Sequence, residues 1–487
     1  MKLLEPGTEV DDFVVRECIH AGGMAHIYRV DCSNPARCPA FPLAMKIPRM
    51  TAGDGAENIV SFEVEQGILP TLAGPHVPRF VAAGDLLRLP YLVMEYVAGQ
   101  TLQQWLDAQA GRADCAEIAR IGVAMANAVH HLHQQNVCHL DLKPANVLLR
   151  QEGEYCSAVL LDFGLSCHAH YPDLLAEEMR KAVGSPTWIA PEQIVGVRGD
   201  VRSDIFAVGV MLYEMATAAL PFGSPSSQGG LRQRLWMTPA PPHQHRADVP
   251  DWLQEIILRC LEPEAAQRYP SAAHLAFDLA HPAQVQVTER GKRLRGPGFR
   301  VHFKRWIKAA GMQYQPSPLP TRQIGEVPIL MVAVPHDDVV DATLYSLREA
   351  VARSLGIRPG ARLACVTVIS PNASSTSDSE RSETALHRQH LARLKQWATG
   401  LDLSGHTVSF HVLEAGDVAQ ALVRYAEGNH VDMMILGAAT HGLQLQRFIH
   451  TVPLQVARDA PCTVILVKQK VPFGGAFAAS SAEGEEA

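Results

Sequence analysis

Residues 139–149 read HLDLKPANVLL, and residues 160–164 read LLDFG. The two stretches set Asp141, Lys143, Asn146 and Asp162 in an order and at a spacing that suit phosphoryl transfer from ATP. That reaction needs a carboxylate beside the acceptor hydroxyl and oxygen ligands for the metal ions that bridge the phosphates. Asp141 supplies the first, Asn146 and Asp162 the second, and Lys143 can neutralise the transferred phosphate. A single loop aspartate is more often a turn or capping residue, so the weight rests on the four together.

Upstream of these motifs the β-branched stretches FVVREC, HIYRV, PLAMKI and PYLVMEYV predict short strands, with one helix near Glu57 to Leu72. This is a small, mostly β lobe over about residues 1–97. From there to residue 283 the pattern changes to long amphipathic stretches such as ARIGVAMANAVHHLHQQ and DWLQEIILRCLE, which predict a larger helical lobe. The most apolar run, Phe206 to Phe222, carries Glu214 and ends near Pro221, which favours a buried helix over a membrane span. Residues 284–325 are rich in Arg and Lys, punctuated by Pro and Gly, and read as a linker. Beyond them VPILMVAV, RLACVTVI, HTVSFHVLEA, DMMILGAA and CTVILVK alternate with helical stretches, which predicts an α/β domain with a mainly parallel sheet over 326–470. The small, acidic end, 471–487, is expected to be a disordered tail.

At 487 residues the chain exceeds the roughly 100–200 residues of one ordinary domain, and 47% hydrophobic with 19% charged residues is a globular composition. A net charge of −7 provides no general attraction for nucleic acid or anionic lipid, although a local basic stretch could still provide one, and no nucleic-acid partner is expected. The start, MKLLEPGTEVDDF, lacks the apolar core of a secretory signal, and a cytoplasmic location is expected. The ten scattered cysteines then read as reduced thiols, with Cys32 and Cys38 alternatively a redox or metal pair.

Taken together, the motifs resemble the protein kinase family, from roughly Phe13 to His281. The resemblance implies an α+β two-lobed fold, ATP and Mg²⁺ as cofactors with Mn²⁺ as a possible substitute, and Ser/Thr of proteins as acceptors. LAMK then ends in the phosphate-contacting Lys46, preceded by Ala44, and Glu65 is its partner, chosen over Glu63 for its helical phase with Leu69 and Leu72. IHAGGMAHIY becomes the phosphate-covering loop, with Ile19, His20, Gly22, Gly23 and Ile27 at the nucleotide. His20 and Ala25 stand where the family usually has glycines, so the loop is expected to be reshaped. YLVMEYV becomes the connector between lobes, with Met94 as gatekeeper and the backbones of Glu95 and Val97 facing adenine, and Leu148 lies on the opposite side. GSPTWIAPE resembles the substrate-positioning segment, whose Glu192 is expected to pair with Arg268, and Asp204 fits a structural aspartate of the family. That segment favours a protein acceptor over a metabolite, and LKPAN tips it toward Ser or Thr. Leu140 replaces the arginine that usually precedes the catalytic aspartate, and CHAHYPDLLAEEMRKAVG, residues 167–184, contains no Ser or Thr. Activation by Ser/Thr phosphorylation there is therefore not expected. The same departures motivate the alternative of a weakly active, pseudokinase-like nucleotide-binding scaffold.

The last domain resembles the universal stress protein family over about Val327 to Lys468, which implies a regulatory, sensing or dimerising role in stress signalling. Gly437 and Thr451 keep that family's nucleotide pattern. Thr440, His450 and Pro335 depart from it and place side chains where phosphates would approach the backbone. The basic run Arg290, Lys292, Arg293, Arg295, Arg300, Lys304, Arg305 and Lys308, interleaved with Phe299, Phe303 and Trp306, is expected to be a solvated linker or to pack on an acidic face of the first domain, with contact to membrane lipid or nucleic acid as the alternative. SSTSDSERSET, 374–384, is read as a mobile loop, either a plain surface loop or an autophosphorylation site.

Overall fold

Large apolar residues alternate along the first strands, and the structure buries them on one side of a sheet: Val15, Tyr28, Val30, Leu43, Met45 and Val93 are each 2% exposed or less. The sheet comprises β1 (Glu9–Val10), β2 (Phe13–Ala21), β3 (Ala25–Cys32), β4 (Leu43–Pro48), β5 (Phe80–Ala83) and β6 (Leu92–Glu95), in the antiparallel order β1-β2-β3-β4-β6-β5. Helix α1 (Glu57–Ile68) follows β4. This computed structural model describes residues 3–296 apart from 23, 35–37, 50–56, 86–88, 110–112, 153–154, 170, 172, 174, 176–183 and 226, and then 306–307, 328–335, 341–355, 361–369, 379–437 and 452–468. Two compact units divide the chain, Met1–Gly325 and Glu326–Ala487.

The helical part of the first unit is built on α2 (Leu102–Gln109), α3 (Cys115–Gln134), α4 (Val201–Thr217), α5 (Asp251–Cys260) and α6 (Ala272–Ala280). Helix α4 is the apolar run seen in the sequence. Ile205, Phe206, Val210, Met211 and Leu212 are fully buried in it, each contributing about 1.5–3 kcal/mol relative to exposure. The Asp200 side chain caps its start by accepting from Arg202 N, and Ala218, at φ 54°, ends it in the left-handed conformation. Among the described residues, no helix is long and apolar enough to cross a membrane.

Short strands then place the chemistry. They are β7 (Gln100–Thr101), β8 (Val137–Cys138), β9 (Val147–Glu152), β10 (Tyr155–Leu160) and β11 (Cys167–His168). The β9–β10 pair is an antiparallel hairpin that sets Val147 opposite Leu160. Residues 139–146 lead into this hairpin and 161–164 leave it, so both motifs meet at its open end, where Leu161 N donates to Asn146 O at 2.9 Å.

Two features decide between readings the sequence left open. The turn after β3 brings the Cα atoms of Cys32 and Cys38 to 5.6 Å and the pair is disulfide-bonded, which corrects the reduced-thiol reading there; the other eight cysteines are free. The front of the basic stretch also docks on α5. The buried Glu255 carboxylate accepts from Thr288 N at 3.1 Å, Thr288 Oγ1 at 2.8 Å, Gly291 N at 2.8 Å and Arg290 Nη1 at 2.7 Å. Gln254 Nε2 donates to the carbonyls of Gly291 and Arg293 at 2.8 and 2.9 Å. Arg290 therefore packs on an acidic face, whereas Phe299, Arg300, Phe303, Lys304, Arg305 and Lys308 lie outside the described residues.

In the second unit β12 (Ile329–Ala333), β13 (Arg362–Ile369), β14 (Thr407–Glu414), β15 (Met433–Gly437) and β16 (Thr463–Val467) form a wholly parallel sheet in the order β14-β13-β12-β15-β16. Helices α7 (Asp341–Leu355), α8 (Ser379–Ala398), α9 (Val418–Gly428) and α10 (Val452–Asp459) connect the strands. All eight residues of β13 are buried, as a strand covered on both faces requires. Thr440, His450, Thr451 and the tail 471–487 lie outside the described residues, as do 374–378 of the serine-rich loop, whereas its residues from Ser379 begin α8.

Candidate active site

The loop before β9 carries Asp141 on a constrained backbone. Leu140 has φ 63° and Asp162 φ 67°, left-handed conformations that cost on the order of 1–3 kcal/mol for a residue with a side chain. The surroundings fix the first of these. The Asp204 carboxylate, at the start of α4, accepts from His139 N and Leu140 N at 2.8 Å each and lies 2.8 Å from His133 Nε2, while Gln193 Nε2 donates to Leu140 O at 2.9 Å. Burial pushes the Asp204 carboxyl upward, but the hydrogen-bonded His133 ring and the backbone donors outweigh it and hold its pKa below the usual range. His133, Cys138 and Asp204 have the makeup of a buried metal cluster, yet both Asp204 oxygens are already taken by N–H groups, so the trio serves to shape the loop.

Asp141 is 7% exposed. Its Oδ1 accepts from Ser185 N at 2.8 Å, and its Oδ2 accepts from Lys143 Nζ at 2.7 Å. Lys143 also reaches Ser185 Oγ at 3.1 Å. Asn146 Nδ2 donates to Asp141 O at 3.0 Å, which leaves the amide oxygen as its acceptor atom. Ser185 belongs to the quoted GSPTW segment, but the sequence carried no sign that its backbone would hold the carboxylate.

On the other side of the cleft, Lys46 on β4 lies between two carboxylates, 2.5 Å from Glu65 Oε2 on α1 and 2.8 Å from Asp162 Oδ1. Glu63 is exposed. Burial works against the Lys46 charge, but the two carboxylates prevail and raise its pKa. Burial likewise opposes ionisation of Asp162, and the Lys46 ammonium overrides it, holding that carboxyl down to about 2. Glu65 moves the other way, pushed up by burial. Its second oxygen accepts from Phe163 N at 3.3 Å, and the Phe163 ring is buried against His139, centroids 5.2 Å apart. A Cβ at Gly164 would meet Ser61 Oγ and lie 3.1 Å from Ser61 O on α1, so any larger residue there would press on the helix that carries Glu65.

The remaining predicted residues surround the same cleft. Val97 and Leu148 pack together with Val159, Ala44 is 5% exposed, and Met94 and Ile27 are half-buried. Glu95 N donates to Arg79 O at 2.8 Å, so its carbonyl is the backbone group left for a ligand; its side chain pairs with Arg79 at 2.9 Å. His20 lies within β2 opposite Ile27. A Cβ at Gly22 would meet the His20 ring at 2.9 Å, so the histidine covers the turn that a glycine would leave open. Ile19 is 39% exposed, and Gly23 lies outside the described residues.

A β lobe and a helical lobe converge on a lysine–glutamate pair and on two loop aspartates, Asp141 and Asp162, the arrangement expected of a protein kinase domain. Residues 39–278 match the family model for the protein kinase domain, and residues 331–468 match that for the universal stress protein family. The chain thus carries a kinase domain followed by a universal stress protein domain. Among its relatives are serine/threonine-protein kinase PkaA of Streptomyces coelicolor, 32% identical over 53% of this chain and 48% of that one, and PknB of Mycolicibacterium smegmatis, 31% identical over 58% and 45%. PrkC of Bacillus subtilis is 27% identical over 55% and 40%. The chain therefore spans about half or less of the length of these relatives. The crystal structure of the Mycobacterium tuberculosis PknI kinase domain, at 23% identity, covers 57% of this chain and 99% of its own with a TM-score of 0.45.

Proposed function

We propose that the chain is an ATP-dependent Ser/Thr protein kinase that works in the cytoplasm and is regulated through its second domain. The observation that carries this reading is the simultaneous contact of Lys46 with Glu65 and Asp162, opposite an Asp141 held by Ser185 and Lys143. Lys46 would hold the α- and β-phosphates, with Glu65 fixing its position. Asp141 orients the acceptor hydroxyl and takes its proton, and Lys143, beside it, neutralises the phosphoryl group in flight. Asn146 through its amide oxygen and the ionised Asp162 make a hard oxygen donor set that fits Mg²⁺ or Mn²⁺. The metal, when bound, neutralises charge developing on the phosphate oxygens. Ala44, Val97 and Leu148 provide an apolar bed for adenine.

The second domain is proposed as the regulatory and dimerising part. Strand β16 stands at one edge of its sheet among the described residues, with Leu466 37% exposed, an arrangement that favours pairing with another chain.

The acceptor class is tested by offering Mg-ATP together with a Ser/Thr-containing protein, a tyrosine peptide and a mixture of small hydroxyl metabolites. Phosphoserine or phosphothreonine in the protein is the expected product. Transfer to metabolites alone would overturn the reading.

A further inference from the structure

Nothing in residues 167–184 can accept a phosphate on Ser or Thr, and Leu140 occupies the place of the cation that would read one. Leu140 instead packs in a small buried cluster with Cys138, Cys167 and Val201, and Cys138 and Cys167 face each other across the antiparallel β8–β11 pair. The segment is nonetheless anchored by charge. Asp173 Oδ2 accepts from Arg198 Nε at 2.7 Å, with the two side chains only 19% and 8% exposed. The same guanidinium donates through Nη2 to Leu165 O at 2.9 Å. Leu165 is the residue directly after Asp162-Phe163-Gly164, and Arg198 follows the Pro191–Ile194 helical turn that contains Glu192.

One arginine therefore ties three separate points together: the backbone behind the metal-binding aspartate, a carboxylate eight residues further on, and the chain that closes the segment. We propose that Asp173 and Arg198 form a permanent anionic latch, in which the Asp173 carboxylate takes the part a phosphorylated side chain would play and Arg198 takes the part of its reader. A phosphate orders such a segment by pairing with an arginine, and a carboxylate in a partly desolvated, charge-assisted pair does the same with one negative charge. The latch requires no modification, so the catalytic arrangement around Asp162 is held whenever the domain is folded. Arg198 and Asp173 are positioning residues; neither is among the groups assigned to ATP or acceptor.

The inference rests on the kinase reading, and its test separates the two. Asp173→Asn keeps the shape of the side chain and removes its charge, whereas Asp173→Glu keeps the charge. Phosphotransfer by Asp173→Asn and by Arg198→Met is expected to fall by at least about tenfold, the effect of losing one hydrogen bond to a charged group. The KM for ATP should stay within about twofold of wild type, and Asp173→Glu should recover much of the rate. In parallel, amide hydrogen exchange over Phe163–Ala169 should accelerate in Asp173→Asn and not in Asp173→Glu. Wild-type rates and wild-type exchange in Asp173→Asn would overturn the latch, as would an essential phosphosite mapped between Asp162 and Glu192. If the wild-type protein transfers no phosphate, the kinase reading falls, while exchange in the same variants still decides whether the pair holds the segment.

Discussion

Replacing Lys46 by methionine is expected to lower phosphotransfer on the order of 10²–10³-fold, the range for removing one preorganised charged donor from a catalytic site. The fold should survive, because the lysine is at the cleft, not in the main core. Two effects act together. The cation that would hold the phosphates is lost, and Glu65 and Asp162, which it separates at 2.5 and 2.8 Å, are left facing each other. Burial opposes ionisation of Asp162, and the Lys46 ammonium is the chief group that overrides it, with smaller pulls from Lys143 and His139, holding its carboxyl at about 2. A carboxyl with a depressed folded-state pKa contributes stability that is fully present above its unfolded value and disappears as pH falls through the folded one. In the wild-type protein that loss sits near pH 2, far below the working range. Without Lys46 the Asp162 midpoint rises, so metal-dependent nucleotide binding in the variant should weaken on acidification at a pH where the wild type is unaffected. Nucleotide titrations at several pH values read this directly, and identical pH profiles for the two proteins would contradict it.

The second large effect falls on stability. Arg268, with no exposed side-chain surface, makes two parallel 2.8 Å bonds to Glu192. It also donates to the carbonyls of Glu262 and Arg202 at 2.8 and 2.9 Å and lies 4.9 Å from the Phe206 ring centroid. Arg268→Met should destabilise the first unit by about 3–5 kcal/mol, because it strands a carboxylate and buried carbonyls without their donor. Replacing Glu192 by methionine as well should recover part of that loss, since the uncompensated charge goes with it. The denaturant midpoint of the first unit's transition measures both. A single-variant shift worth less than about 1 kcal/mol would place the pair among ordinary surface ion pairs.

Both halves of the fold were legible for simple reasons. In the first unit, HLDLKPAN and LLDFG stand on either side of a hairpin, so their closeness in space follows from local sequence. In the second, five apolar runs separated by helical stretches leave little choice but a parallel sheet, and its strands coincide with the predicted stretches. Helical phase favoured Glu65 over Glu63, and Glu65 is the residue that meets Lys46. What stayed hidden depends on pairings without a periodic signal. Asp173 and Arg198 are 25 positions apart, in a stretch whose pattern predicts no regular element. Glu255 looks like one more polar residue of an amphipathic helix until residues 288–291 fold over it. Cys32 and Cys38 stand out as a candidate pair, but reduced thiols are the favoured reading because composition speaks of compartment and not of loop geometry. Ser185 acts through its backbone N–H, a role that side-chain identity does not encode.

The central claim is that this cleft transfers phosphate to protein hydroxyls through Asp141. Its most direct test is incorporation of labelled γ-phosphate from Mg-ATP into the protein itself and into a generic Ser/Thr protein substrate, comparing wild type with Asp141→Asn at equal ATP occupancy. The account predicts incorporation by the wild type that is lost in the variant. Equal incorporation by both, or ATP bound by the wild type with no transfer at all, would contradict it.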